Sequence, residues 1–436
     1  MRSALISFFA YLALLAAVFS LVPGLPLLGG AAAGLAICLG WGEMRNVPRA
    51  VFVVAVLVLV FALAYDASLI VGAAVNLTRL AGLMLAVMLL SSVLARTRDL
   101  QLISSSLFGG KPLSRYLSLG FGTALVSVPL NFGSVAVVGS LVAQRIKRNG
   151  DSASTRNATR AVLRGFGVAP MFSPLSISVV LTLTLLPDVS LMSLLVLVVP
   201  FAMCVLLAGL RWREPEPAEV TETAATLQAG PASWLRFGGL ILAVCIGVLW
   251  LSHRFGLSYA HSVALSCLGA VALYRVLGWL KGKNPPVTSM ANVSNELAIV
   301  GGSAFIGAVL SGVVLGQISG HPELPAWLWA LMAAGVPWVF FAGGMSGMNP
   351  IIIATLLGGI LGSLWPVTAQ LGLAFAMVTA WGIAAFGTPF AANALIMERL
   401  TGYRARDASF RWSLPLSLSG LCASSVISFS LTLWLL

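Results

Sequence analysis

Charged residues are scarce in this sequence. Asp, Glu, Lys and Arg together make up 9% of its 436 residues, whereas hydrophobic residues make up 59%. A soluble protein of this length needs a charged surface, and charged residues average about 25% of globular domains. The composition therefore excludes an ordinary soluble enzyme or binding protein and indicates a protein that lies in a membrane.

Groups that carry out acid–base or metal chemistry are also few. The sequence has 13 acidic residues, 3 histidines and 5 cysteines. No histidine stands at a catalytic or metal-binding spacing from a carboxylate, and no phosphate-binding loop is present. The cysteines lie within apolar runs and are expected to pack as small hydrophobic side chains, without bound metal. An enzyme or an ATP-driven pump is therefore disfavoured, and no cofactor is predicted.

Long apolar runs, by contrast, recur along the whole chain. Eleven of them are close to the length of about 18 residues that crosses the hydrocarbon core as a helix. We therefore predict an all-α polytopic membrane protein. The first run resembles a signal peptide, but no small-residue cleavage site follows it, so residues 1–24 are expected to form an extra membrane helix. The predicted spans are Ala4–Val22, Leu25–Trp41, Arg49–Ala64, Ser68–Ala95, Ala161–Leu186, Leu191–Leu210, Leu235–Leu251, Ser258–Leu280, Asn292–Leu315, Val367–Met397 and Ser413–Leu435.

Basic residues are distributed unevenly between the loops. There are 25 Lys and Arg residues, and all except Arg79 and Arg254 fall near alternating span ends. This bias predicts a bacterial-type inner membrane protein with a cytoplasmic N-terminus and an external C-terminus. The basic excess thus reports orientation and contact with the lipid bilayer, and no nucleic-acid partner is expected.

The two halves of the sequence contain the same parts in the same order. Each half has an apolar run with a polar break, at 117–144 and 326–365, which we interpret as a re-entrant helical hairpin; a broken membrane helix follows each one. The polar segment 211–233 is interpreted as a flexible cytoplasmic linker between repeats 25–210 and 234–436. Each repeat has five spans, which is an odd number, so the second repeat is expected to begin on the opposite side of the membrane from the first. This predicts a cytoplasmic-side first hairpin and an external-side second hairpin. Such inverted repeats are typical of secondary transporters.

The breaks bring polar residues to membrane depth. Backbone outside a helix persists in lipid only where protein or water covers it. Ser173, Asn349 and Thr388 each precede a proline, which is the pattern of a helix start. Helix starts attract anions, and helix ends with side-chain oxygens suit sodium. Gly and Pro also serve as simple kinks in membrane helices, but four breaks in matched positions favour a binding site.

We predict one site that both repeats contribute to. The predicted substrate-binding residues are Asn131, Ser134, Ser173, Ser346, Asn349, Thr388 and Asn393. The predicted ion-binding residues are Asn131, Gly133, Ser346, Asn349 and Thr388.

Three charged residues inside predicted spans have more than one interpretation. Glu296 is either a proton carrier or a carboxylate that caps a helix start at the interface. Arg79 either pairs with substrate or extends its charge to the membrane surface, and Arg164 is interpreted as a positive-inside anchor. The shortage of buried carboxylates favours sodium over protons as the coupling ion.

At these residues the chain resembles the ion transporter superfamily, the group that contains the divalent anion/sodium symporters. The segment Gly387–Ala394 is similar to the Thr-Pro-Pro-Asn-Ala run of that family's last broken helix, with a different spacing between Pro389 and Asn393. The segments Asn131–Ser134 and Ser346–Asn349 are similar in composition to the family's Ser-Asn-Thr tips. The resemblance implies opposed hairpins, an elevator-type movement, sodium and an anion bound at the tips, and a homodimer.

The function expected from these observations is secondary active transport of a small carboxylate-type anion, coupled to sodium. The alternatives are a proton-coupled carrier, an exporter of another anion such as arsenite, a channel and an integral membrane enzyme. A channel would need a continuous polar path, whereas the polar residues here cluster at the breaks.

Overall fold

The computed structural model describes residues 2–95, 97–216, 229–282, 287–318 and 323–436. Within these ranges the chain consists of helices joined by turns and loops, without β-strands. The α-helices are α1 (Arg2–Val18), α2 (Leu25–Gly40), α3 (Asn46–Tyr65), α4 (Ser68–Leu94), α5 (Arg98–Ser106), α6 (Pro112–Leu130), α7 (Phe132–Asn149), α8 (Ala153–Phe172), α9 (Ile177–Leu185), α10 (Leu191–Ala208), α11 (Pro231–Phe255), α12 (Tyr259–Leu280), α13 (Ser294–Gln317), α14 (Ala326–Met345), α15 (Pro350–Leu364), α16 (Gln370–Gly387), α17 (Ala392–Thr401) and α18 (Leu414–Leu435).

Eleven helical segments of the described chain are long and apolar enough to span a membrane. The protein is thus an all-α polytopic membrane protein, as predicted. The set differs from the prediction in one member, because α1 has 17 residues and falls short of the required length, whereas the 20 residues of α14 reach it. The span that contains α8 also begins at Ala153, earlier than the predicted Ala161, because protein buries the polar first turns of α8.

Helices α4 and α13 form the centre of one part of the molecule. They contact each other, and around them pack α1, α2, α3 and α12. Close approach depends on small residues: Gly82 of α4 lies against Ala17, and Gly40 lies against Ser294 with no room for a side chain. Small residues serve this purpose in membrane helices because lipid gives no hydrophobic force that pushes helices together.

The other part contains two helical hairpins and two broken helices. The first hairpin is α6–α7 and the second is α14–α15; the broken helices are α8–α9 and α16–α17. Equivalent contacts recur in the two halves of the chain: α6 packs on α8 as α14 packs on α16, and α8 packs on α10 as α16 packs on α18. The second arm of each hairpin packs on the short half-helix of the opposite repeat, α7 on α17 and α15 on α9.

The predicted linker 211–233 is largely ordered where the structure describes it. Glu214 accepts hydrogen bonds from Arg156 and Arg160 (2.8 and 2.6 Å), and Glu216 pairs with Arg115. Helix α11 begins within the predicted linker, at Pro231. A flexible connector is therefore wrong for residues 211–216, which carboxylate–guanidinium pairs fix to α6 and α8; residues 217–228 lie outside the described ranges.

Candidate substrate site at the hairpin tips

The tip of the first hairpin is a sharp turn at Asn131. This residue has φ +48°, the one positive φ among the described non-glycine residues. Its carbonyl accepts hydrogen bonds from the backbone N–H and the hydroxyl of Ser134 (3.1 and 2.7 Å), and the Ser134 hydroxyl lies 2.6 Å from that of Ser127. Positive φ costs a non-glycine residue about 1–3 kcal/mol and is retained mainly at functional sites. The Asn131 side chain forms no hydrogen bond with the described residues, so it is free to bind a ligand.

Helix α4 supports this tip from the side. The Ser91 hydroxyl donates to the Leu130 carbonyl (3.3 Å), and a Cβ at Gly133 would lie 3.6 Å from the same hydroxyl. Because Ser134 closes the turn, the backbone N–H groups left without a partner at the start of α7 belong to Phe132 and Gly133. The predicted residues Asn131, Gly133 and Ser134 therefore do form one structural unit.

The tip of the second hairpin is built in a different way. Gly347 adopts φ +81°, and the N–H groups of Gly347 and Met348 bond back to the carbonyls of Gly344 and Gly343 (3.2 and 2.8 Å). This is the Schellman arrangement that ends many helices. Asn349 then caps α15, since its Oδ1 accepts the Ile351 N–H at 2.8 Å.

The helix-start prediction for Asn349 is therefore right. Pro350 occupies the first position of α15, where a missing N–H carries no penalty. Ser346 lies exposed beside it, with its hydroxyl donating to the Ala342 carbonyl (3.0 Å).

The same prediction is wrong for Ser173 and Thr388. Ser173 ends α8, and its carbonyl accepts the Ser176 N–H (3.0 Å), so that Pro174 is the second residue of a four-residue turn. Thr388 ends α16, and its carbonyl accepts the Ala391 N–H (3.4 Å) in an equivalent turn. Proline favours the second turn position as strongly as the first helix position, because both need the same φ.

The half-helices begin after these turns. Ser176 caps α9 by accepting the Val179 N–H (3.3 Å). Helix α17 begins at Ala392 without a side-chain cap, so the N–H groups of residues 392–394 have no partner among the described residues. Asn393, 1% exposed, adds a buried Nδ2 that also lacks a partner there. Buried donors left unpaired are uncommon, and a ligand is one way to satisfy them.

The second hairpin tip lies directly on the second break. A Cβ placed on Gly344 would be 2.9 Å from Cγ2 of Thr388, and one on Gly347 would be 3.7 Å from the ring of Phe390. Thr388 is 2% exposed and donates its hydroxyl to the Ala384 carbonyl (2.8 Å).

The first hairpin tip lies at the same level. Helices α7 and α17 run in the same direction, since Gly139 faces Met397 and, just beyond the ends of both helices, Asp151 accepts a hydrogen bond from Tyr403 (2.6 Å). The start of α7 and the turn before α17 each lie about 10 Å back from the Gly139 contact, at 1.5 Å per residue. Two helix starts thus lie side by side, that of α7 with Asn131 and Ser134 and that of α17 with Asn393, and Thr388 lies against the second tip.

Ser173 is more loosely connected to this group. Its hydroxyl accepts the Leu175 N–H (3.3 Å) within its own turn, and the Pro174 carbonyl accepts the Tyr259 hydroxyl (2.8 Å) of α12. Its link to the second repeat is indirect: Phe386, two residues before Thr388, packs against Gly167 of α8.

Glu296 lies in the first turn of α13. One face of α13 contacts α15, where Ser311 donates to the Thr355 carbonyl (3.2 Å) and Ser303 accepts from the Thr355 hydroxyl (3.5 Å). Glu296 lies seven residues before Ser303, hence on the same face and about 10 Å nearer the start of α13. Its Oε2 has no hydrogen-bond partner among the described residues.

Arg164 does not have the role of a positive-inside anchor that the sequence predicted for it. It is 1% exposed and donates to the Tyr116 hydroxyl (2.6 Å) and to the carbonyls of Gly209 (2.8 Å) and Trp412 (2.6 Å). It is therefore a buried cross-link between α6, α8, α10 and the segment before α18, and not an anchor at the membrane surface. Arg79 is half-buried, and its Nε has no partner among the described residues.

Sequence reasoning did not identify the uncapped start of α17 as a donor group. The signal was present, because Ala391 and Ala392 lack the side-chain oxygens that cap most helices. It also missed the pairing of the linker carboxylates, for which the sequence holds no signal.

Comparison with known proteins bears on the fold alone. No protein-family model and no curated protein matches the chain. Among solved structures, the chain is similar to the YdaH transporter of Alcanivorax borkumensis, whose crystal structure reveals an unusual topology. The similarity covers 84% of this chain and 88% of that one, with a TM-score of 0.51 and 16% sequence identity. The chain therefore has the fold of a membrane transporter.

Proposed function

We propose that the protein is a secondary active transporter that moves a small carboxylate-type anion across the inner membrane, coupled to sodium. The observation that carries this proposal is the convergence of two helix starts with unpaired donors, those of α7 and α17, beside the second hairpin tip. In this proposal the N-terminus is cytoplasmic, the C-terminus is external, and the hairpins expose the site to each side in turn. A homodimer, as in the divalent anion/sodium symporters that the sequence resembles, is part of the proposal.

The anion would bind between the starts of α7 and α17. These starts supply the unpaired N–H groups of Phe132, Gly133 and residues 392–394, together with Nδ2 of Asn393. Parallel helices direct the positive ends of both dipoles to this place, so an anion binds without a cationic side chain. Helix α15 contributes little, because Asn349 already occupies its first N–H groups.

The sodium ion would bind on the side of Thr388 that faces away from the anion. The last carbonyl groups of α16 have no helical partner by the geometry of helix ends. Together with the Thr388 and Ser346 oxygens they form the kind of all-oxygen environment that hard cations prefer.

Coupling to protons is the second candidate, and the position of Glu296 favours it. A buried carboxylate oxygen without a partner, on the face of α13 that leads to the second hairpin, is a suitable proton acceptor. In this version Glu296 takes up a proton in place of the sodium ion.

Thermal unfolding of the purified protein tests the proposal. Its stability would be measured in sodium and in potassium, with and without small carboxylates, sulfate and arsenite. A ligand at a hundredfold excess over its Kd raises stability by about 2.7 kcal/mol. Stabilisation by one carboxylate that requires sodium is the expected result. An anion effect that needs no sodium and is lost in Glu296→Gln would favour protons instead.

Transport by variants then tests the site. Asn131→Ala, Asn349→Ala and Thr388→Ala should each reduce uptake into proteoliposomes while the protein stays folded. Asn349→Asp is a matched control, because aspartate caps a helix as well as asparagine does. Normal uptake by all three alanine variants would refute the hairpin site.

A further inference from the structure

A cavity of about 270 Å³ lies at the far end of the first hairpin. Its lining includes Phe108, Arg115, Arg145, Glu216 and the first residues of α8. Because α7 has 18 residues, this end is about 27 Å from the tip. The cavity is therefore separate from the proposed transport site.

Arg115 is the buried cation of this cavity. The residue is 2% exposed, its Nη2 pairs with Glu216, and its Nη1 has no hydrogen-bond partner among the described residues. Glu216 also accepts a hydrogen bond from Asn157 (2.7 Å), so its carboxylate is engaged on two sides. A buried guanidinium nitrogen without a partner is costly, and an anion would remove that cost.

The start of α8 supplies further donors. Ser152 and Thr155 form a reciprocal capping box, with each side chain accepting the backbone N–H of the other (3.3 and 3.0 Å). The N–H groups of Ala153 and Ser154 remain without a partner in the described structure, and both residues line the cavity. Since α8 is 20 residues long, the positive end of its dipole reinforces these donors.

We propose that this cavity binds a phosphate group. Donors approach from the Arg115 side and from the α8 side, which suits a tetrahedral oxyanion with several acceptor oxygens. Arg145, whose guanidinium lies 4.5 Å from the centre of the Phe108 ring, adds a second positive charge to the lining. The phosphate is either free in solution or part of the headgroup of an anionic phospholipid, and the two sources share this chemistry.

The test removes one donor and leaves the side chains in place. Proline is favoured at the first position of a helix, and the extended Ser152 (ψ 163°) suits a residue that precedes proline. Ala153→Pro therefore deletes a single N–H at the cavity. Ala326→Pro is the matched control, because Ala326 holds the same position in α14 and is exposed.

Binding of inorganic phosphate would be measured by calorimetry on the detergent-purified protein, with chloride at equal ionic strength as the reference. We expect wild type and Ala326→Pro to bind alike and Ala153→Pro to bind about tenfold more weakly, the loss expected for one hydrogen bond to a charged group. Equal binding by all three proteins, or no binding above chloride in every protein and every lipid, would overturn the proposal.

Lipid nanodiscs distinguish the two sources. The unfolding temperature would be measured in phosphatidylcholine with and without phosphatidylglycerol. Stabilisation by phosphatidylglycerol that Ala153→Pro reduces identifies a lipid headgroup, and stabilisation by free phosphate alone identifies a soluble ligand. If Ala153→Pro unfolds, the double variant Arg115→Gln, Glu216→Gln removes both charges of the ion pair together. It should also lose the response, and an undiminished response in it would contradict the proposal.

Discussion

The two hairpin tips occupy matched positions in the two repeats but are closed by different chemistry. The first tip is held by serine hydroxyls around a strained Asn131. The second is a helix end with Gly347 at the left-handed position, followed by a capped helix start at Asn349. Repetition of the fold thus fixes where a tip lies, whereas local sequence decides which backbone groups stay free there.

This difference has a functional meaning within the proposal. The start of α7 keeps unpaired N–H groups, whereas the start of α15 has its N–H groups occupied by Asn349. We therefore assign anion binding to the first tip and a structural, oxygen-rich role to the second. Four changes test this difference between the tips, and they are given in order of their expected effect on the free energy of unfolding.

Ser134→Ala should have the largest effect. It removes a buried hydroxyl that makes two contacts, with the Asn131 carbonyl and with the Ser127 hydroxyl. We expect a loss of about 1–3 kcal/mol in the free energy of unfolding. Ser140→Ala is the control, since Ser140 on the same helix bonds only to its own helix backbone, at Val137. Equal chemical denaturation curves for the two variants would show that Ser134 does not hold the tip.

Gly347→Ala should have the next largest effect. The position has φ +81°, where a Cβ costs roughly 1–2 kcal/mol. Gly335→Ala in the helical arm α14, where a Cβ meets open space, should be neutral or slightly stabilising. The measurement is again denaturation, and a Gly347→Ala protein as stable as Gly335→Ala would argue against the left-handed turn.

Low pH should loosen the start of α8, beside the base of the first hairpin, and spare the base of the second hairpin. Burial raises the pKa of Glu214, but hydrogen bonds and charge from Arg156 and Arg160 outweigh it and hold that pKa below its usual value. A carboxylate with a lowered pKa stabilises the fold above its unfolded pKa, and that stabilisation is lost as pH falls through the folded value.

At the base of the second hairpin, Trp329 of α14 instead packs against Trp365, with their ring centres 4.9 Å apart. Tryptophan side chains do not titrate. Hydrogen exchange at pH 3 compared with pH 6, after correction for the intrinsic rate, should therefore increase at the start of α8 and not at the base of α14–α15. Equal loosening at both places would contradict this difference.

Asn131→Gly should have almost no effect on stability. Glycine relieves the strain of a positive φ but adds conformational freedom to the unfolded chain, and each term is about 1 kcal/mol. Transport should nevertheless fall, because a side chain proposed to bind the substrate is lost. Uptake and denaturation measured on one preparation would check this, and normal uptake would show that the tip acts through its backbone alone.

Sequence patterns predicted the architecture well because the length of an apolar run, and the breaks that Gly and Pro make in it, determine helix bounds locally. The second hairpin was predicted at 326–365 and is formed by α14 and α15, which run from Ala326 to Leu364. The first hairpin was predicted at 117–144, but its helices extend from Pro112 to Asn149, because both arms continue past the apolar run into polar residues such as the buried Arg115 and the exposed Lys147.

The site was predictable only in part. Asn349 and Thr388 both precede proline, and only the tertiary setting decides which becomes a helix start and which a turn. The burial of Arg164 and the pairing of Glu214 depend on residues far away in the sequence, which composition cannot reveal.

The exchange of partners between the repeats has a consequence for how the protein is assembled. Because α7 packs on α17 and α15 packs on α9, each hairpin is completed by a half-helix that the other repeat encodes. Neither half of the chain contains a finished hairpin body of its own. If the protein arose by duplication, a single repeat would have needed a second copy of itself to complete its hairpin through these same contacts.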